Sequence, residues 1–264
     1  MLNTFVLIKR ISMQSHLTIV TITKDDLEGV ASTLRSTCAL RTFEWVSQII
    51  IDGSIKAVSH KVRQLAVEEQ VEYVWQEPDG IAQAFNLGLD HVRDGFVWFL
   101  NGKDEAHPDL NIPLLMQLLG SSKGDILVFE LEFIATGVRY KRPPLWALWP
   151  PIFWMPHPAT LVRRELYDTY GRFSPDFRIA MDGELWIRFL SNDIGIDMVS
   201  LPLARFDQSG VSSTDQSKMF IEIDRVIKEN FRLLFRIWLR QGLYLYQSMW
   251  RRVAAKFLHR GGDH

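Results

Sequence analysis

Short apolar runs alternate with amphipathic stretches through the first half of the chain. His16–Ile22 (HLTIVTI) is rich in β-branched residues and stops at Thr23-Lys24-Asp25-Asp26, the pattern of a strand ending in a turn. Leu27–Leu40 then repeats apolar residues at helical spacing, which predicts a helix. Trp45–Ile51 (WVSQIII) predicts a second strand closing on Asp52-Gly53-Ser54, followed by a helix near Ala57–Val67 and a short strand at Glu72–Gln76. A turn at Pro78-Asp79-Gly80 leads to a helix over Ile81–Val92 and a buried strand over Phe96–Leu100. Strands separated by helices of this length predict an α/β fold, a mostly parallel sheet with helices on both faces. Ligands of such sheets sit beyond the carboxyl ends of the strands.

The second half changes character. Asp125–Phe133 and Val199–Phe206 read as strands, and helices are expected from Arg163 to about Tyr170 and over Asp182–Leu190. Gly137–Pro158 is dense in Pro, Trp and Phe, and from about Asp215 onward the pattern is helical, with a break expected at Gly242. The expected organisation is an N-terminal extension (1–15), a catalytic domain (16–215, divided at 110) and a basic helical tail (216–264). Residues 1–12 read as a mobile extension or a misassigned start. They place their charge after the apolar run, the wrong order for a signal peptide. No stretch approaches the roughly 18 apolar residues of a membrane helix.

Composition narrows the classes. A formal net charge of −1 in 264 residues argues against bulk capture of nucleic acid, which needs a strongly basic face. The single cysteine, Cys38, excludes an internal disulfide and any multi-cysteine metal site, and its apolar helical surroundings suggest a core position. A nicotinamide enzyme is disfavoured because no G-x-G-x-x-G follows the first strand. A nucleotidyltransferase would need a glycine-rich basic loop where TITKDDLEG stands. A non-catalytic binding protein of the same fold stays open.

Polar groups recur at strand ends: Thr21 and Thr23, Asp52, Asn101 to Glu105, and later Asp182. An Asp after an apolar strand is usually a cap or turn former. The same residue can accept hydrogen bonds from uracil or ribose, and a carboxylate at a later strand end can hold Mg²⁺ or Mn²⁺ against a diphosphate.

The order of pieces is what identifies a family. LTIVTITKDDLEGVASTLRS, IIIDGS, EPDGIAQAFNLGL, VWFLNGKDEAHPDL, HPATLVRRELYDTYGRFSPDFRIAMDGELWIRFL and GVSS follow one another between about residues 17 and 232. Together they resemble the family 2 glycosyltransferases of the GT-A fold, in particular their bacterial polysaccharide, colanic-acid-type branch. The resemblance implies an inverting transfer of sugar from a nucleoside-diphosphate donor, a UDP-sugar first among them, to a saccharide or lipid-linked saccharide hydroxyl. It implies that Thr21, Thr23, Asp52 and Asn101 line the nucleotide site and that Gly80, Gln83 and Asn86 pass close to the diphosphate or donor sugar. Asp104 matches the second Asp of the family's LNSDD metal motif, with Mg²⁺ or Mn²⁺ as the implied cofactor. Asp182 matches the general base, and His157 and Trp186 fall on the acceptor side. The departure is Lys103, which stands where the family pattern has an acid.

Three features keep two readings each. Asp182 fits both a base and a helix N-cap, and His157, between prolines, fits both an acceptor contact and a packed loop residue. Trp146, Trp149, Phe153 and Trp154 suit either an acceptor lid or a core layer. The tail carries Arg225, Lys228, Arg232, Arg236, Arg240, Arg251, Arg252, Lys256 and Arg260 against Glu229, with Trp and Tyr between them. Such a helix suits an anionic membrane, here the cytoplasmic face of the inner membrane, or packs on the domain or on a second subunit.

Overall fold

The computed structural model describes residues 16–140, 155–210 and 216–260, with side chains of the last stretch from 217 to 239. The expectation for the aromatic segment lies mostly outside these residues, as do the N-terminal extension and the tail side chains beyond 239. Among the described residues the strands form one nine-stranded sheet in the order β3-β2-β1-β4-β8-β6-β9-β5, with β7 paired to β6.

The first half follows the sequence pattern closely. Strand β1 (Leu17–Thr23) lies between β2 (Val46–Asp52) and β4 (Phe96–Phe99), and β3 (Glu72–Trp75) sits beyond β2, all parallel. Helices α1 (Leu27–Thr37), α2 (Lys56–Glu68) and α3 (Ile81–Asp90) make the crossovers. Strand alternation divides the core. Val20, Ile49, Ile51, Val97 and Phe99 face the layer that holds α3, whereas Leu17, Ile19, Phe96 and Trp98 face the opposite one. Asp26 starts α1 as its N-cap, accepting from Gly29 N at 2.9 Å. Cys38 is exposed at the C-cap of α1, not in the core as its neighbours suggested, because the helix ends there and turns the side chain outward.

The second half completes the sheet with mixed pairing. After β5 (Glu105–Ala106) and α4 (Ile112–Ser121) come β6 (Ile126–Phe133), β7 (Arg139–Tyr140) and β8 (Thr160–Arg163). Strand β8 is antiparallel to both β4 and β6 and so joins the halves, while β9 (Ile196–Phe206) runs parallel to β6 and antiparallel to β5. Helices α5 (Arg164–Tyr170) and α6 (Met181–Leu190) cover the α3 side. Helix α7 (Gln216–Arg260) is continuous through Gly242, where a break was expected: one glycine weakens a helix by only about 1 kcal/mol. Its Val226, Leu234 and Ile237 are buried in the layer shared with α6, each contributing roughly 1.5–3 kcal/mol.

Candidate functional site

The carboxyl ends of β1, β2 and β4 meet at one edge, in register Thr23↔Asp52, and the loop after β4 folds back onto β1. Gly102 N donates to Ile22 O (3.0 Å) and Lys103 N to Gly29 O (3.1 Å). Across this edge Asp25 ties the β1 end to the β2 end: its N–H donates to Ser54 Oγ (2.7 Å) and its Oδ1 accepts from Ile55 N (2.9 Å). Asp25 and Lys103 both adopt left-handed backbone, with φ 55° and 79°. That conformation is tolerated for Asp and costs more for Lys, and it persists where the surroundings over-determine it.

Lys103 extends from this strained position to an ion pair with Asp26, Nζ to Oδ2 at 3.4 Å, and reaches Ser209 Oγ at the same distance. The pair needs Gly29. A Cβ there would come within 2.4 Å of Asp26 Oδ2 and 2.7 Å of Lys103 Cγ.

Three expected donor residues are used inside the protein. Thr21 is 0% exposed, and its Oγ1 accepts from Gln48 Nε2 (3.0 Å), whose Oε1 accepts from Thr37 Oγ1 (2.7 Å). Asp52 is also 0% exposed, with Oδ1 accepting from Ser54 N (2.8 Å) and Oδ2 from the Tyr73 hydroxyl (2.9 Å). Each oxygen thus holds one partner at the end of β2. Asn86 is a third. Its side chain brackets Phe173, Nδ2 donating to Phe173 O (2.8 Å) and Oδ1 accepting from Phe173 N (3.0 Å). It pins the loop after α5 to α3.

Thr23, Gly80, Gln83 and Asn101 remain at or near the edge. Thr23 is half-buried beside Gly102. Gly80 starts α3 with φ 101°, a conformation open to glycine, in space where a Cβ would meet nothing within 4 Å. Gln83 lines an open hollow of about 530 Å³ together with Glu77, Asp79 and Asp90, an acidic wall ill suited to a diphosphate. Asn101 is half-buried and carries a buried Oδ1 without a hydrogen-bond partner.

Asp104 is the expected metal ligand, and its geometry does not present it as one. It is 2% exposed, its Oδ1 accepts from Asp207 N (2.9 Å), and its Oδ2 is buried without a partner. Burial pushes its pKa up to about 8, against the opposing hydrogen bonds from Asp207 and Asn101. Among the described residues no three His, Cys, Asp or Glu side chains come together to hold a metal ion. With Lys103 in place of the acid, the residues of this loop do not fit a cation held by Asp104. Glu105 is also engaged elsewhere, accepting from Ser32 Oγ (2.6 Å) and pairing with Arg205 (2.9 Å).

On the acceptor side, Asp182 lies in the first turn of α6. The N-cap is Ala180, so the capping alternative for Asp182 falls away. Its Oδ1 accepts from Gly183 N (2.7 Å) and the residue is half-buried. Burial raises its pKa to about 6, outweighing the backbone N–H groups that favour the carboxylate. A carboxylate of that strength is mostly ionised at neutral pH yet basic enough to take a proton in a transition state. Trp186, one turn later, is 2% exposed with its Nε1 buried and unpartnered.

His157 sits within an aromatic cluster. Its ring packs on Phe85 and Phe99, with centroids 5.0 and 6.0 Å away. Burial lowers its pKa to about 4, leaving it neutral, and its Nε2 is buried without a partner. Glu184 is engaged within its own helix. It forms a two-armed ion pair with Arg188, whose guanidinium also donates to Tyr170 O and Arg172 O.

The sequence reading missed Asp25, Ser54 and Asp207, the polar partners that fix the strand-end loops. For Asp25 and Ser54 the turn composition was a usable signal. Asp207 meets Asp104 across 103 positions, which no local pattern encodes.

Comparison with known proteins follows this geometry. The model of the family described as "Glycosyl transferase family 2" matches residues 18–182. An "Uncharacterized glycosyltransferase Rv1514c" of Mycobacterium tuberculosis H37Rv is 28% identical over 218 residues, covering 79% of this chain and 81% of the relative. Among solved structures, S. aureus TarS 1-349 in complex with UDP superposes with a TM-score of 0.63 at 14% identity, over 80% of this chain and 64% of that one. This chain spans only 39% of the longer TarS chain in a second structure. The mannosyltransferase PcManGT from Pyrobaculum calidifontis, in complex with GDP-Man and Mn²⁺, gives a TM-score of 0.60 at 11% identity, over 84% and 66% of the two chains. These likenesses show a GT-A fold.

Proposed function

The chain belongs to glycosyl transferase family 2, and from that premise we propose that it transfers a sugar from a nucleoside-diphosphate donor to an acceptor hydroxyl with inversion, using Asp182 as general base. The observation that carries the reading is Asp182 itself. It is a half-buried carboxylate at a helix N-terminus whose pKa of about 6 suits proton removal near neutrality. Direct displacement needs one base and no covalent intermediate. Asp182 takes the acceptor's proton as its oxygen attacks the anomeric carbon opposite the departing diphosphate.

Donor binding is assigned to the strand-end edge, to Thr23, to Gly80 at the start of α3, and to the loop that carries Asn101 and Lys103. UDP is the first nucleotide to test, since TarS binds UDP and UDP-GlcNAc while PcManGT binds GDP-Man. The positive charge that faces the diphosphate is assigned to Lys103 rather than to a metal held by Asp104. The test is to incubate the protein with UDP- and GDP-sugars and acceptor saccharides and to follow the anomeric proton by NMR. A product of configuration opposite to the donor is expected; retention overturns the mechanism, and absence of binding to any nucleotide overturns the transfer.

The setting proposed is cell-surface polysaccharide assembly of the colanic-acid type at the cytoplasmic face of a membrane. Among the described residues no helix is long and apolar enough to cross one. Helix α7 instead exposes Phe231, Phe235, Trp238 and Leu239 beside Arg232 and Arg236, an arrangement suited to an anionic surface. Replacing Phe235 and Trp238 by Ser and Arg232 and Arg236 by Glu leaves the buried Val226, Leu234 and Ile237 in place, and is expected to release the protein from vesicles containing anionic lipid while preserving the fold. Unchanged co-sedimentation would discredit the membrane role of the tail.

A further inference from the structure

Helix α7 does more than pack against α6. Glu222, in its second turn, directs both carboxylate oxygens at the backbone that leads into the helix bearing Asp182. Oε1 accepts from Arg178 N (3.0 Å), and Oε2 accepts from Ile179 N (2.7 Å) and Ala180 N (2.9 Å). Three successive N–H groups thus converge on one anion, a backbone nest of the kind that binds carboxylates tightly. The location also places a negative charge at the positive end of α6.

The contact is reinforced from the same helix. Arg225 lies over the Phe177 ring at 4.7 Å and donates to Asp176 O at 3.5 Å. Residues 176–180 are therefore held by α7 on two sides. Nothing local does this work, because Ala180 provides no side-chain cap for α6. Only Met181 lies between the clasped Ala180 and Asp182, and it belongs to the first turn of a helix.

We propose that Glu222 is the positioning residue for Asp182, so that the C-terminal helix sets the orientation of the base. The proposal rests on the reading of Asp182 given above. A base displaced by even 1 Å loses about 10²-fold in rate, whereas Asp182 is not among the residues assigned to the nucleotide. Glu222 would then act on kcat and leave donor binding alone.

The test compares Glu222→Ala, Glu222→Gln and Asp182→Asn in the full chain, measuring kcat, UDP affinity by calorimetry and thermal unfolding. Glu222→Ala is expected to lower kcat about 10- to 100-fold with UDP affinity within about twofold of wild type. Glu222→Gln retains an oxygen acceptor for the nest and is expected to recover most of the loss. A Glu222→Ala protein that melts earlier but turns over at the wild-type rate well below its melting temperature would overturn the proposal and leave Glu222 a structural tie. Should Glu222→Ala fail to fold, a Glu222→Gln protein with normal kcat and restored melting supports the nest, and one with depressed kcat and normal melting shows that the charge itself is required. Turnover retained by Asp182→Asn would instead remove the base reading on which this one stands.

Discussion

Replacing Asp182 by Asn is expected to lower kcat by about 10²- to 10⁴-fold, the range that a positioned general base supplies, with UDP affinity unchanged. Asn keeps an oxygen for the Gly183 N–H and removes a charge that burial disfavours, so the fold should persist. The wild-type rate carries its own signature. Asp182 works as a carboxylate, and its pKa is raised to about 6 by burial, so kcat is expected to fall as pH drops through about 6, approaching tenfold per unit below it. At higher pH the base is fully ionised and this group imposes no further change. In the Asn variant the residual rate should lose that acid limb. Wild-type turnover by Asp182→Asn, or an acid limb that survives the substitution, would place the base elsewhere.

The fold was legible wherever hydrophobic period and helix length agreed. Strands β1, β2 and β4 are apolar runs fully used by the core, and their ends were found to within a residue. Helix α4 and strands β5, β7 and β8 were missed for two reasons. Three of them are only two to four residues long, and the fourth (IPLLMQLLGS) has too continuous an apolar character to show a clean face. Strand β8 matters most, because Thr160–Arg163 joins both halves of the sheet yet reads locally as the edge of a proline-rich segment.

The site was less legible than the fold. The resemblance assigned Thr21, Asp52 and Asn86 to the ligand, and the structure shows each of them hydrogen-bonded within the protein. A buried Asp at a strand end has two oxygens to satisfy, and Ser54 and Tyr73 satisfy them for Asp52. Nothing in the linear pattern distinguishes an oxygen that builds a turn from one that awaits a ligand. Tyr73 is 21 residues away, and Glu222 lies 42 residues beyond the peptide it holds.

Lys103 turns this ambiguity into an experiment, and the second large effect is expected there. Lys103→Ala should weaken UDP binding by about 10- to 100-fold, while exchanging excess Mn²⁺ for a chelator should change wild-type affinity by less than about twofold. A diphosphate needs positive charge, and a divalent ion brought by the protein needs oxygen ligands facing it. Here Asp104 turns inward to Asp207, and the neighbouring position offers an ammonium. The Lys103–Asp26 pair is partly exposed and 3.4 Å long, a contact worth roughly 0–1 kcal/mol, so the side chain can leave it at little cost. A hydrogen bond from that ammonium to a phosphate contributes about 1.5–3 kcal/mol, which is the tenfold to hundredfold effect expected. Lys103→Asp, which restores an acid to the loop, should bind UDP poorly with chelator and recover when Mn²⁺ is added. A wild-type protein that binds nucleotide only with Mn²⁺, together with a Lys103→Ala variant of unchanged affinity, would return the charge to a metal and leave Lys103 as Asp26's partner alone.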